Sequence, residues 1–277
     1  MKAILLAAGR GERMRPLTDH TPKPLLQVHG KALIEWHLSA LARAGVNEVV
    51  VNTAWLEEKI VQQLGDGSLY GLRLAYSLEG RDHGGALETA GGLKKALPLL
   101  MANGAHGAFW YVAADVFAPR FGFDARHVAS FERSALLGQL WMVPNPPQHP
   151  AGDFAMDRGL AQFVAPAGAG VDPGHTGHTG HTGHSGDRGD RGDRGGGDNG
   201  RSADGAAPSF TWSGIALFKP EFVTSLMADL VPGTKAKLRP YLDAAIARQR
   251  LGAALLGVPW ADVGTPQRLE ALNREPE

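Results

Sequence analysis

The chain has 277 residues, 43% of them hydrophobic, with 28 Lys plus Arg against 28 Asp plus Glu. That length is enough for one large domain or two small ones, and a balanced charge leaves no overall field to draw the protein onto nucleic acid or an anionic membrane, so any anion it binds is held locally. There is no cysteine, which removes disulfides, thiolate metal sites and cysteine nucleophiles and fits a reducing cytoplasm.

The first apolar run, Ala3 to Ala8, is too short for a signal-peptide core or a membrane span. No later run is long enough either, so a cytoplasmic protein without a membrane partner is expected. The run ends in Gly9 and reads as a strand buried on both faces. After a loop to about Pro24, Leu33, Trp36, Leu38, Leu41 and Ala44 fall near helical spacing, with Gly45 as the stop. "VNEVVVN" is a second strand; Leu56, Ile60 and Leu64 mark a helix, "LRLAYS" a third strand, and "ETAGGLKKALPLL" a helix closed by Pro98. "FWYVAADVF" is a fourth strand with Asp115 at its end, where open sheets place ligands. Such alternation predicts an α/β fold, a single Rossmann-like three-layer α/β/α domain over 1–277 with a mixed, mostly parallel twisted sheet.

From 166 to 208 the chain carries three HTG and three DRG triplets with almost no large apolar side chain. Such a stretch buries too little surface to offset its ordering entropy, and it reads as a disordered insertion within the domain. Its histidines offer chelating imidazoles, but nothing in the sequence fixes their geometry. Beyond it, "SFTWSGIALF" is a strand and "RPYLDAAIARQ" a helix. "GVPWADVGTPQRLEAL" gives a last strand with Asp262 at its end, then a helix with Pro266 near its start.

The opening loop, "GRGERMRPLT", is the most informative stretch. A dinucleotide fingerprint needs a third glycine where Met14 stands, and a Walker loop needs Gly-Lys-Ser or Gly-Lys-Thr, which is absent. Two glycines followed by Arg13, Arg15 and Lys23 instead suggest a polyphosphate site built from backbone amides and nearby cations. With its preceding strand and the following "PKPLL", the stretch resembles the sugar nucleotidyltransferase family. The resemblance continues through "LETAGG", "VAADVF", "WSGIALF" and "WADVGTPQRL".

That resemblance implies transfer of a nucleoside monophosphate from a nucleoside triphosphate to a sugar 1-phosphate, with Mg²⁺ as cofactor and no obligate protein partner. It implies backbone amides of Gly9, Arg10 and Gly11 around the triphosphate, with Leu6, Ala8 and Glu12 beside the nucleotide. Arg13 and Lys23 take the catalytic roles, Lys23 holding either the phosphate of the sugar 1-phosphate or the α-phosphate, because donors and cations must meet charge that grows in the transition state. Arg15 is either a second phosphate contact or a solvated surface arginine. Asp115 and Asp262 hold the metal, although a lone strand-end aspartate is otherwise a helix cap. Glu88, Thr89 and Gly91 seat base and ribose, or simply cap a helix start, and Glu79 reads the base edge.

On the acceptor side, "NPPQHPAGDF" resembles the N-acetylmuramate 1-phosphate uridylyltransferase branch, and implies Asn145 and Asp153 facing the sugar hydroxyls or the lactyl group, with Gly214 also binding the substrate. Other sugar 1-phosphates paired with dTTP, CTP or GTP, and a nonenzymatic sugar-nucleotide sensor, are the competing readings. The resemblance also implies no second activity, because no hexapeptide-repeat domain follows Asp262.

Overall fold

The computed structural model describes residues 1–164 and 208–274, so the expected insertion lies outside the described residues except for Pro208. In chain order the strands are β1 (Lys2–Ala7), β2 (Gln27–Val28), β3 (Lys31–Ala32), β4 (Glu48–Thr53), β5 (Arg73–Leu78), β6 (Phe109–Ala113) and β7 (Val116–Phe117). They continue as β8 (Gly138–Val143), β9 (Phe154–Asp157), β10 (Leu160–Gln162), β11 (Ser209–Phe218), β12 (Leu251–Leu255) and β13 (Ala261–Asp262). The helices are α1 (Leu33–Arg43), α2 (Glu57–Leu64), α3 (Glu79–His83), α4 (Glu88–Leu100), α5 (Ala125–Arg133), α6 (Pro220–Leu226), α7 (Arg239–Ala247) and α8 (Pro266–Arg274).

Among the described residues, nine strands make one sheet in the order β5-β4-β1-β6-β11-β8-β12-β10-β9. The first four are mutually parallel, as are β8 and β12, whereas β11 runs against β6 and β8, and β10 against β12 and β9. The sheet is therefore mixed. Side chains alternate across β1: Leu5 and Ala7 pack with Leu38 and Leu41 of α1 and Ile60 of α2, while Ile4 packs with Leu93 of α4, Phe222 of α6 and Leu242 of α7. Both faces of β1 are covered, which is why it reads as an unbroken apolar run; each fully buried Leu or Ile contributes about 1.5–3 kcal/mol.

Two expectations about elements are corrected. Helix α4 is not closed by Pro98 but runs on to Leu100, which is 1% exposed; a proline this near a helix end removes one hydrogen bond, and core packing of the last turn holds. "FWYVAADVF" is not one strand: β6 stops at Ala113, the chain leaves the sheet after Ala114 donates to Leu6 O (3.0 Å), and β7 pairs instead with β13. Asp115 thus sits in the turn between two strands. Strands β2, β3, β8 to β10 and β12 and helices α3, α5 and α6 are not read from the sequence.

The topology positions the site. β1 is flanked by β4, which follows it in the chain, and by β6, which arrives only after β5 at the sheet edge, so the strand order reverses at β1 and opens a crevice at the carboxyl ends. Three distant segments close over that crevice through a small apolar cluster of Met14, Leu26, Val28, Leu33, Phe117 and Val263. Met14 and Val263 are fully buried there.

Beneath the crevice lies Glu79, fully buried, whose carboxylate accepts hydrogen bonds from Asn52 Nδ2 and from Leu87 N (2.7 Å) and so ties β4 and α3 to the start of α4. Burial pushes the Glu79 carboxyl up from 4.5 to about 7, against the lowering effect of those bonds. Its folded pKa lies above the unfolded one, so the stabilisation from the protonated form is complete below about pH 4.5 and is lost as pH rises through about 7. Urea titrations from pH 4.5 to 8 should therefore show wild type losing up to about 3 kcal/mol relative to Glu79→Gln across that window. A constant difference between the two proteins over the whole range would refute the assignment.

Candidate active site

Two clefts meet in the crevice. The first, of about 440 Å³, is lined by Leu6, Ala8, Gly9 and Arg10 from the end of β1, by Lys23, by Glu88 and Thr89 from the start of α4, and by Asp115. The second, of about 350 Å³, is lined by Arg13, Asp115, Asp153, Gly214 and Asp262. Ala113 and Asp115 belong to both walls.

At the junction Lys23 Nζ donates to Asp115 Oδ2 at 2.7 Å; the lysine side chain is 9% exposed and the aspartate 44%. Lys23 is presented by a 3₁₀ turn (Lys23–Leu25) wedged between Pro22 and buried Leu25. Asp262 pairs across the β7–β13 ladder with Val116, next to Asp115, and Val263 N donates to Asp115 O at 3.3 Å. The same turn rests on buried His37, whose Nε2 lies 2.8 Å from Val116 O. Burial pushes the His37 imidazole down to about 4, so it is neutral at pH 7 and must donate to that carbonyl.

The arginines of the loop divide their work. Arg10 commits its guanidinium to the protein, donating to Thr18 O (2.8 Å) and Asp19 (2.9 Å) and stacking 3.7 Å above the Trp55 ring, while the residue lines the first cleft. Arg15 pairs with Asp19 at 2.9 Å and is 57% exposed, the solvated reading of that residue. Arg13 is exposed on the wall of the second cleft and, among the described residues, has no ion-pair partner. It lies with the two aspartates rather than with Gly9.

Five expected site residues do not line either cleft. Gly11, at φ +68°, turns the loop back: its carbonyl accepts from Thr18 Oγ1 (2.8 Å), and a Cβ there would lie 3.0 Å from Thr18 Cγ2. Glu12 stands on the exposed rim near Arg10 and Arg15. Glu79 is buried below Asn52 and cannot reach a base edge. Gly91 packs against the loop before α7; its N–H donates to Ala236 O (3.2 Å), and a Cβ would collide with Thr234 O. Asn145 spends its amide inside the protein, donating to Ser209 Oγ (2.9 Å) and accepting from Thr211 Oγ1 (3.0 Å). Thr89 lines the first cleft, but its hydroxyl oxygen accepts from Leu238 N (3.0 Å) at the start of α7.

The structure adds residues to the site. Asn52, Tyr111 and Lys235 line the first cleft, and His149, Trp212 and Trp260 the second. Asn52 ends the apolar "VVVN" run at the same sheet edge as Gly9, a signal visible in the sequence. Lys235 gave none: the α6–α7 loop brings it to the cleft by bonding Ala236 to Leu87 (3.0 Å) and Ala90 (2.9 Å). Tyr111 and Trp212 stack with centroids 5.4 Å apart and form the partition between the clefts. Asp153 is fixed by Trp212 N (2.8 Å) and lies 3.1 Å from His149 Nε2.

Among the described residues no group of three or more His, Cys, Asp or Glu could cage a metal. Asp115 and Asp262 fit a hard cation of the Mg²⁺ kind, which needs only one or two carboxylates when substrate phosphates and water complete its shell. Both carboxylates already attract positive charge: Asp115 pairs with Lys23, and Asp262 with Arg268 at 2.5 Å.

The sequence matches the nucleotidyl transferase family over residues 2–148. It is 39% identical, over 98% of its length and 96% of the relative's, to the N-acetylmuramate alpha-1-phosphate uridylyltransferase of Neisseria meningitidis. The enzyme of that name from Caulobacter vibrioides is 45% identical over 35% of this chain and 40% of its own. In fold the chain is similar to the CTP:phosphocholine cytidylyltransferase of Streptococcus pneumoniae, with a TM-score of 0.62 at 20% identity over 98% of this chain and 97% of that one. With the Gly-x-Gly loop, Lys23 and Asp115 all lying inside the matched segment, the chain belongs to the nucleotidyl transferase family.

Proposed function

We propose that the protein transfers UMP from UTP to N-acetylmuramate 1-phosphate, releasing pyrophosphate and UDP-N-acetylmuramate, in the cytoplasm and in the service of cell-wall recycling. In this reading the chain is a single α/β/α domain interrupted at 166–208. The observation that carries it is the pair of clefts sharing Asp115, with Lys23 at the seam. Two separate substrates that meet to transfer one nucleotidyl group need two pockets that touch at one point. The full-length likeness to the Neisseria uridylyltransferase supports the choice of base and sugar.

In this mechanism the nucleoside occupies the first cleft against Leu6, Gly9 and Thr89, and the sugar occupies the second beside Asp153 and Gly214. An oxygen of the sugar 1-phosphate forms a bond to the α-phosphorus of UTP while the bond from that phosphorus to the β-bridging oxygen breaks. The nucleophile is already an anion, so no general base is required. What the protein must supply is positive charge and orientation. Lys23 does so from the seam, the backbone amides of Gly9 and Arg10 from the nucleotide side, and Arg13 from the side of the two aspartates. Asp115 and Asp262 would hold Mg²⁺, whose charge would offset that of the phosphates and lower the repulsion between the two substrates.

A panel of nucleoside triphosphates crossed with sugar 1-phosphates, read by pyrophosphate release, tests the substrate pair. The UTP and N-acetylmuramate 1-phosphate combination should give the highest kcat/KM, and a better pair of another base or sugar would replace this assignment. Asp115→Asn and Asp262→Asn should each abolish Mg²⁺-dependent turnover with circular dichroism unchanged; full activity in either variant refutes its place at the metal. Arg13→Ala should lower kcat ~100- to 1000-fold with a smaller effect on KM, as for loss of one preorganised donor. Arg15→Ala should change kcat little. The opposite ranking would put the wrong arginine over the reacting phosphates.

A further inference from the structure

A third cleft, of about 360 Å³, adjoins the acceptor cleft and shares Pro146, Gln148, Trp260 and Asp262 with it. Its wall is otherwise largely apolar, with Val143 and Leu272, and Arg268 is its one cation among the described residues. Arg268, on α8, donates from Nη1 to Asp262 Oδ2 at 2.5 Å and keeps its side chain 27% exposed. Its Nε and Nη2 have no hydrogen-bond partner among the described residues. The pair lies close over Gly264: a Cβ there would lie 2.8 Å from Arg268 Nη1 and 2.9 Å from Asp262 Oδ2, so a larger residue would displace one of the two side chains.

We infer that this third cleft is a subsite for a small apolar substituent of the acceptor that ends in a carboxylate, held by the free fork of Arg268. The inference rests on the acceptor proposed above and adds the contact that selects it. A polyphosphate is a poor match, because the cleft offers a single guanidinium beside an aspartate. With Asp262 already paired to Nη1, the two remaining parallel N–H donors, on Nε and Nη2, match the two oxygens of one carboxylate. The apolar walls suit a short alkyl group, and the shared residues make the subsite continuous with the sugar cleft. N-acetylmuramate 1-phosphate differs from N-acetylglucosamine 1-phosphate by a lactyl ether, one methyl-bearing carbon that carries a carboxylate, which is the chemistry this cleft fits. Arg268 is then the residue by which the enzyme separates an acidic sugar from its neutral parent.

The test compares kcat and KM for these two acceptors, with UTP saturating, in wild type, Arg268→Gln and Arg268→Lys. Wild type should prefer the acidic acceptor. In Arg268→Gln the preference, as a ratio of kcat/KM values, should fall ~10- to 100-fold, the loss typical of one charge-assisted contact, and should fall on KM for the acidic acceptor. Arg268→Lys should keep part of it, since a point charge replaces half the fork. If Arg268 merely positions Asp262, both acceptors will lose the same factor and the inference is overturned; a wild type without preference overturns it too. A wild type that does not use the acidic acceptor at all sinks the proposed acceptor itself, a result distinct from an unchanged ratio in the variant.

Discussion

The site depends on one ion pair, Lys23 with Asp115, at 2.7 Å and almost out of solvent on the lysine side. Residues 92 positions apart in the chain meet there only because a 3₁₀ turn delivers the lysine and a break in a strand delivers the aspartate. Removing either partner leaves the other charge poorly solvated, a loss larger than the pair's own net contribution. The two clefts meet at this pair, so in the proposed reaction it also fixes where nucleotide and sugar phosphate approach each other. A site of this kind works through charge that is already oriented before the substrates arrive.

What keeps the pair in place is packing. Met14, Phe117 and Val263 come from the first loop, the strand after Asp115 and the turn after Asp262, and they share one apolar cluster. The position where a dinucleotide-binding loop needs a glycine is thus used as an anchor: Met14 pins the loop down so that Gly9 and Arg10 face one cleft while Arg13 faces the other. His37 completes the support from below, neutral and bonded to the Val116 carbonyl. The odd composition of "GRGERMRPLT" follows from this division between backbone, anchor and cation.

Much of this was legible in the sequence. Alternating apolar strands and periodic helices pointed to the sheet up to β6, and motif context pointed to Lys23, Asp115 and Asp262, which line the two clefts. Illegible parts have physical reasons. Asn145, Glu79 and Gly91 sit inside recognisable motifs, yet their polar atoms or missing Cβ serve the protein's own interior: Asn145 staples the loop after β8 to β11, Glu79 ties β4 to α4, and Gly91 admits the loop that carries Lys235. A motif marks that a residue is needed near a site without saying on which side of the wall it works. Lys235 and the apolar cleft beside Arg268 arise only from tertiary packing of segments that carry no local signal.

In the proposed reaction nucleoside and sugar lie in separate clefts joined at Lys23 and Asp115. A crystal structure with UDP-N-acetylmuramate bound tests it most directly. The account predicts the nucleoside against Leu6, Gly9 and Thr89, the sugar beside Asp153 and Gly214, and the diphosphate spanning the Lys23–Asp115 seam. A sugar found instead in the groove lined by Trp55, Glu58 and Arg81 on the far side of Arg10 would contradict it.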